Sequence, residues 1–174
     1  MQHWKPYVHQ RAAGVAVLAI AVSSLLPGLG LPAAIAQQPL AAVALANATI
    51  AQELLQLVNA ERRRVNAPPL TLSDKLLTAA QRHAQDMATS RRMSHTGSNG
   101  SSMRSRIDAT EYSWSTIGEN VAVGQPTAAA VMSAWMSSPG HRQNILNPAF
   151  TELGIGYASA QGRIYWAQVF GRPL

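Results

Sequence analysis

The sequence predicts an α+β domain in which an antiparallel sheet is covered by helices, and three observations carry that expectation. Apolar residues recur at three- and four-residue spacing in several segments before residue 147. Two segments near the C-terminus, 153–158 and 163–170, alternate instead, with Ser159-Ala160-Gln161-Gly162 as the turn between them. Helices therefore come first and most strands last, with no internal repeat.

The N-terminus reads as an export signal. Met1 to Arg11 carries Lys5 and Arg11 with no acidic residue, and Ala12 to Leu26 is small and apolar but for two serines. Pro27-Gly28 breaks that run, and Ala34-Ile35-Ala36 offers a small-x-small cleavage site, so residues 1–36 are assigned to a cleavable signal peptide. An uncleaved anchor is the alternative, because a span needs only about 20 apolar residues. Residues 37–48, QQPLAAVALANA, read as a poorly ordered linker, and residues 49–174 as one domain able to bury a real core.

Without the leader the chain keeps twelve basic residues against eight acidic ones, a mild +4. Its arginine clusters, Arg62-Arg63-Arg64 and Arg91-Arg92, lack interleaved aromatics, which argues against a nucleic-acid surface. Both read as solvated faces, with the first as a candidate contact for an anionic envelope polymer. Cysteine is absent, which removes disulfides, thiol chemistry and thiolate metal sites.

Thr49 with Gln52 suggests a capping box opening a helix over 50–65, whose stripe is Ile50, Leu54, Leu57 and Val58. Pro68-Pro69 ends it in an extended stretch. Ser73-Asp74 caps a second helix over 74–90, with Leu76, Leu77, Ala80, Ala84 and Met87 inward and His83 beside that stripe as a packed or partly exposed helix histidine. The Gly-, Ser- and Asn-rich residues 91–101 form a loop, followed by a short helix over 102–109 with Met103 and Ile107 inward. Ile117 to Gly124 is a brief extended segment. Thr127 caps a helix over 128–137 that Pro139-Gly140 terminates, and a last helical turn covers His141 to Leu146. In the final strand Ile164, Trp166 and Gln168 alternate with Tyr165, Ala167 and Val169.

Chemistry concentrates at three positions. His95 lies in a polar loop, His141 follows a glycine that permits close backbone approach, and Glu119 stands on a short apolar segment where burial demands a partner. Two imidazoles and a carboxylate could meet as metal ligands with open positions or as an acid/base set.

A longer pattern surrounds these residues: Leu57-Val58-Asn59-Ala60-Glu61-Arg62-Arg63, Ala84-Gln85-Asp86-Met87-Ala88, Ser94-His95-Thr96-Gly97, Gly118-Glu119-Asn120-Val121-Ala122, the run Trp135 to Leu146, Gly154-Ile155-Gly156, and Tyr165 to Phe170. In this order they resemble the CAP superfamily of cysteine-rich secretory, antigen 5 and pathogenesis-related class 1 proteins, in its cysteine-free bacterial branch of SCP-like extracellular domains. The resemblance covers about residues 50–172. It implies a three-layer α-β-α sandwich, a small antiparallel sheet between helical layers, and an open cleft. Many members hold two histidines and two acidic residues in that cleft, and His95, Glu119 and His141 match three of those positions. Where relatives place a fourth, acidic residue this chain reads Met136-Ser137-Ser138-Pro139, so the resemblance implies His95 and His141 as metal ligands with Glu119 as a hydrogen-bonding neighbour. Ser94, Asn120 and Arg142 are further cleft-lining candidates.

The leading expectation is an exported module, secreted or in the cell envelope, that binds a lipid, peptide, wall component or divalent cation, zinc foremost, without turnover. The alternative is a metal-dependent protease or esterase using His95, His141 and Glu119 as base. No serine sits in a nucleophile elbow. A monomer without a stable transmembrane segment after processing, and without nucleic acid as partner, completes the expectation.

Overall fold

The computed structural model describes residues 40–174, so the signal peptide expected over residues 1–36 lies outside the described residues. The order is α1 (Leu40–Arg64), β1 (Thr71–Leu72), α2 (Asp74–Ser90), α3 (Met103–Asp108), β2 (Trp114–Val123), α4 (Ala128–Ser137), α5 (Pro139–Leu146), β3 (Glu152–Ala160) and β4 (Arg163–Pro173). No helix among the described residues is long and apolar enough to cross a membrane.

The expected linker is the one element the structure overturns. Residues 40–48 are the first turns of α1, because an alanine- and leucine-rich run has the strongest intrinsic helix preference and nothing breaks it after Pro39. Thr49 is accordingly an interior residue: its hydroxyl donates to Leu45 O one turn back (3.0 Å) and opens no capping box. The expected helices over 74–90 and 128–137 appear with those bounds. Thr127 Oγ1 accepts from Ala130 N, whereas Ser73 makes no side-chain cap. Pro139 does end α4, but it also opens α5 as its first residue, where a missing N–H costs nothing.

The sheet runs β1-β3-β4-β2, antiparallel except that the two-residue β1 lies parallel to β3. Alternation along β4 sends Trp166 and Phe170 into a core with Leu54, Val58, Trp135 and Phe150, under α1, α4 and α5. Tyr165, Ala167 and Val169 enter a second core with Leu76, Met87 and Ile107, under α2 and α3. Two helical layers thus enclose one sheet. A Cβ at Gly154 would stand 2.2 Å from Leu76 O, and one at Gly156 2.1 Å from Ala80 O. Four helical residues rise about 6 Å and two strand residues about 6.6 Å, so α2 lies along β3 nearly in step and touches its bare backbone twice.

Arg62 corrects the reading of its cluster as a solvated face. It is fully buried, and its guanidinium donates to four carbonyls: Pro68 (2.7 Å), Ile145 (2.8 Å), Asn147 (2.9 Å) and Phe150 (3.1 Å). These carbonyls include the end of α5, whose C-terminal dipole favours a cation. Arg64, by contrast, is exposed and pairs with Glu61.

Candidate functional site

The site gathers around Glu119. Its side chain is only 2 % exposed, and both oxygens are engaged: Oε1 accepts from His95 Nδ1 at 2.9 Å and Oε2 from Arg106 Nη2 at 2.6 Å. Because a carboxylate only accepts, His95 Nδ1 carries the proton of this bond. The His95 side chain is 60 % exposed, so it is the solvent-reachable member of the pair.

Local structure fixes each of these groups. Gly118 admits Phe150, whose ring would stand 2.8 Å from a Cβ there, and so lets the chain after α5 close over β2 just before Glu119. The His95 loop leaves α2 through Arg91 in the left-handed conformation (φ 55) and is then tied down from several directions. Ser98 N donates to Asp86 (2.8 Å), Gly97 N to Ser101 O (2.9 Å), and Arg106 Nη1 to Ser101 O (3.0 Å). His83 is fully buried, and its Nε2 donates to Ser94 O (2.8 Å), which places that ring 4.0 Å from Glu119 Oε2. Burial pushes the His83 pKa below the usual imidazole value, against a smaller upward pull from Glu119.

Strand alternation divides the remaining residues. Glu119 faces the α2–α3 layer, while Asn120 faces the layer of α5. Asn120 is fully buried and donates to Gln168 Oε1 (2.9 Å) and to His141 O (3.1 Å). Asn144 Nδ2 donates to Asn120 Oδ1 (2.8 Å) and to Glu119 O (3.2 Å). This amide cluster holds α5 against β2, and with it His141. Burial, and after it the charge of His95, lowers the His141 pKa, which favours the neutral ring. The loop after α2 places His95 and α5 places His141, on opposite layers of the sheet, and Glu119 bonds the His95 ring alone.

The remaining expected cleft residues do other work. The Ser94 hydroxyl accepts from Thr96 N (3.0 Å) within the loop, and Arg142 is exposed on α5, its backbone N–H donating to Ser138 O (2.9 Å). Among the described residues no three or more His, Cys, Asp or Glu side chains stand close enough to hold a metal ion together. Sequence reasoning missed Arg106, Asn144 and Gln168. Gln168 had a signal, a polar residue in the inward phase of β4; Arg106 had none beyond the demand of Glu119 for a partner.

Residues 55–170 match the family described as CAP: Cysteine-rich secretory protein family. The chain is 37 % identical over 121 residues to the protein YkwD of Bacillus subtilis (strain 168), covering 70 % of this chain and 47 % of that one. It is 28 % identical over 122 residues to the membrane protein YlbC of the same organism, covering 70 % of this chain and 34 % of that one. The chain thus spans less than half the length of these relatives. Among solved structures it is similar to an extracellular protein containing an SCP domain from Bacillus anthracis, with TM-score 0.67 and 29 % identity over 71 % of this chain and 40 % of that one.

Proposed function

The chain belongs to the CAP, or cysteine-rich secretory protein, family, and on that premise we propose that it is an exported binding module whose ligand is taken by the His95 and His141 imidazoles at the edge of β2, without turnover. Export is supported by the leader pattern of residues 1–36 and by the similarity to the extracellular protein of Bacillus anthracis.

The observation that carries this reading is the engagement of Glu119. A carboxylate buried against a guanidinium and an imidazole orients His95 and is poorly placed to take a proton from water. The hydrolase alternative needs that proton transfer, so binding is the better account.

The donor set fits a divalent cation in part. His95 Nε2 and the His141 ring offer nitrogen donors of the kind that suits zinc, but Glu119 is a neighbour and not a third ligand. A cation bound there supplies a positive anchor with open positions for a carbonyl or anionic ligand group. Zinc is therefore expected to raise the melting temperature of the purified chain, and His95→Ala with His141→Ala to abolish the rise. No rise in the parent chain, or an equal rise in both proteins, removes the cation from the reading.

A further inference from the structure

β2 is the last strand of the sheet, and its free side is covered unevenly. Gly124 N donates to Ile164 O (2.8 Å), which makes the even-numbered residues of β2 the ones bonded to β4. The N–H and C=O groups of Glu119, Val121 and Val123 therefore point away from the sheet. Two side chains cover part of that row: Asn144 donates to Glu119 O, and Trp135 Nε1 makes a long contact, 3.5 Å, to Val121 O. Beyond them lies a cavity of about 240 Å³, bordered by Val121, Val123, Met93, Trp135, Gln125 and His141. Gln125 Oε1 is buried in this region with no hydrogen-bond partner among the described residues.

From this juxtaposition we infer that the free edge of β2 is a docking rail for an extended peptide, which adds as a fifth strand and places an apolar side chain in the cavity beside His141. Three features select that occupant. Val121 N–H and both main-chain groups of Val123 remain in the outward row, at the two-residue spacing that an extended backbone reproduces. The cavity walls are mainly apolar, with Met93, Val121, Val123 and Trp135 among them, and leave room for one large side chain. Gln125 Oε1 offers an acceptor to a peptide N–H or hydroxyl. The inference rests on the binding reading above for the choice of cleft, but uses main-chain groups and not the imidazole nitrogens.

The test uses the full chain labelled with nitrogen-15 and a blocked hexapeptide, Lys-Val-Thr-Leu-Thr-Lys, with the Leu position varied among apolar residues. Two further versions carry N-methyl groups on alternate amides in the two possible frames. Binding is expected to shift and protect the Val121 and Val123 amides, and only one methylated frame should lose it, by about ten-fold or more. Val123→Pro removes one outward N–H without touching the β4 ladder, since proline is tolerated where an edge N–H faces out, and should weaken binding to a similar degree. Met93→Glu, at a 46 % exposed position, puts a charge at the cavity mouth and gives a second variant should the proline perturb the strand. No binding by any peptide of the set, equal loss in both frames, or binding unchanged in both variants overturns the proposal. So does a dimer that protects the same amides without peptide, which would make a second copy the occupant. His95→Ala, outside the cavity lining, keeps the peptide rail while removing the zinc response, so failure of one reading is distinguishable from failure of the other.

Discussion

Replacing Arg62 by methionine tests whether a buried guanidinium organises the layer that carries His141. Methionine keeps much of the apolar stem but leaves four carbonyls without their donor. Those of Pro68 and Asn147 are bonded in partly buried positions and can recover water, whereas the bonds to Ile145 and Phe150 are buried. A hydrogen bond to a charged group contributes about 1.5–3 kcal/mol net, so losing the two buried ones should cost about 3–6 kcal/mol. That is a large share of the 5–15 kcal/mol (approximately) that holds an ordinary domain together. Arg62→Lys, with a single ammonium unable to fork to all four, should lose about half as much. Urea unfolding followed by the fluorescence of buried Trp135 and Trp166 reads the difference. The methionine variant should also show faster amide exchange along α5, because the lost bonds end that helix. A loss below about 1 kcal/mol, or α5 protection unchanged, would refute the idea that this cation closes the layer.

Two other predictions concern the charges of the site. Glu119→Gln leaves the Arg106 guanidinium, 11 % exposed, without its counter-charge and should cost about 3–5 kcal/mol. Adding Arg106→Leu should recover part of that loss, and strictly additive costs in the double-mutant cycle would show that the two do not act as a pair. His83 and His141 both have pKa values held below the ordinary imidazole value by burial, so below about pH 6.5 the unfolded chain binds protons that the folded one refuses. Stability should therefore fall as pH drops through about 6.5 and below, and level off once the folded rings protonate in turn. His83→Gln, whose amide can still donate to Ser94 O, should flatten that slope, and denaturation midpoints that change with pH as steeply as in the parent would reject burial of His83 as its source.

Much of the fold was legible because helices and strands announce themselves through neighbours only a few residues away. The stripe Leu76, Ala80, Ala84, Met87 needs no knowledge of its partner to be read as one helix face, and the alternation of Tyr165, Trp166, Ala167 and Gln168 already separates the two cores. The same logic flagged Glu119, a carboxylate on an apolar segment that would require a partner if buried. It fails at the start of α1, where a small-residue stretch reads as a linker although alanine and leucine are strong helix formers.

From the sequence alone came the order of elements, the two faces of β4, and the notice that Glu119 could not stand by itself. Tertiary structure alone decided that Arg106 answers it, that Arg62 turns inward to carbonyls 83 to 88 residues away, and that Asn120 and Asn144 tie β2 to α5, which carries His141. The reason is physical: periodicity is a property of adjacent turns and pleats, while the partner of a buried charge is set by where whole layers come to rest, and no local pattern records that.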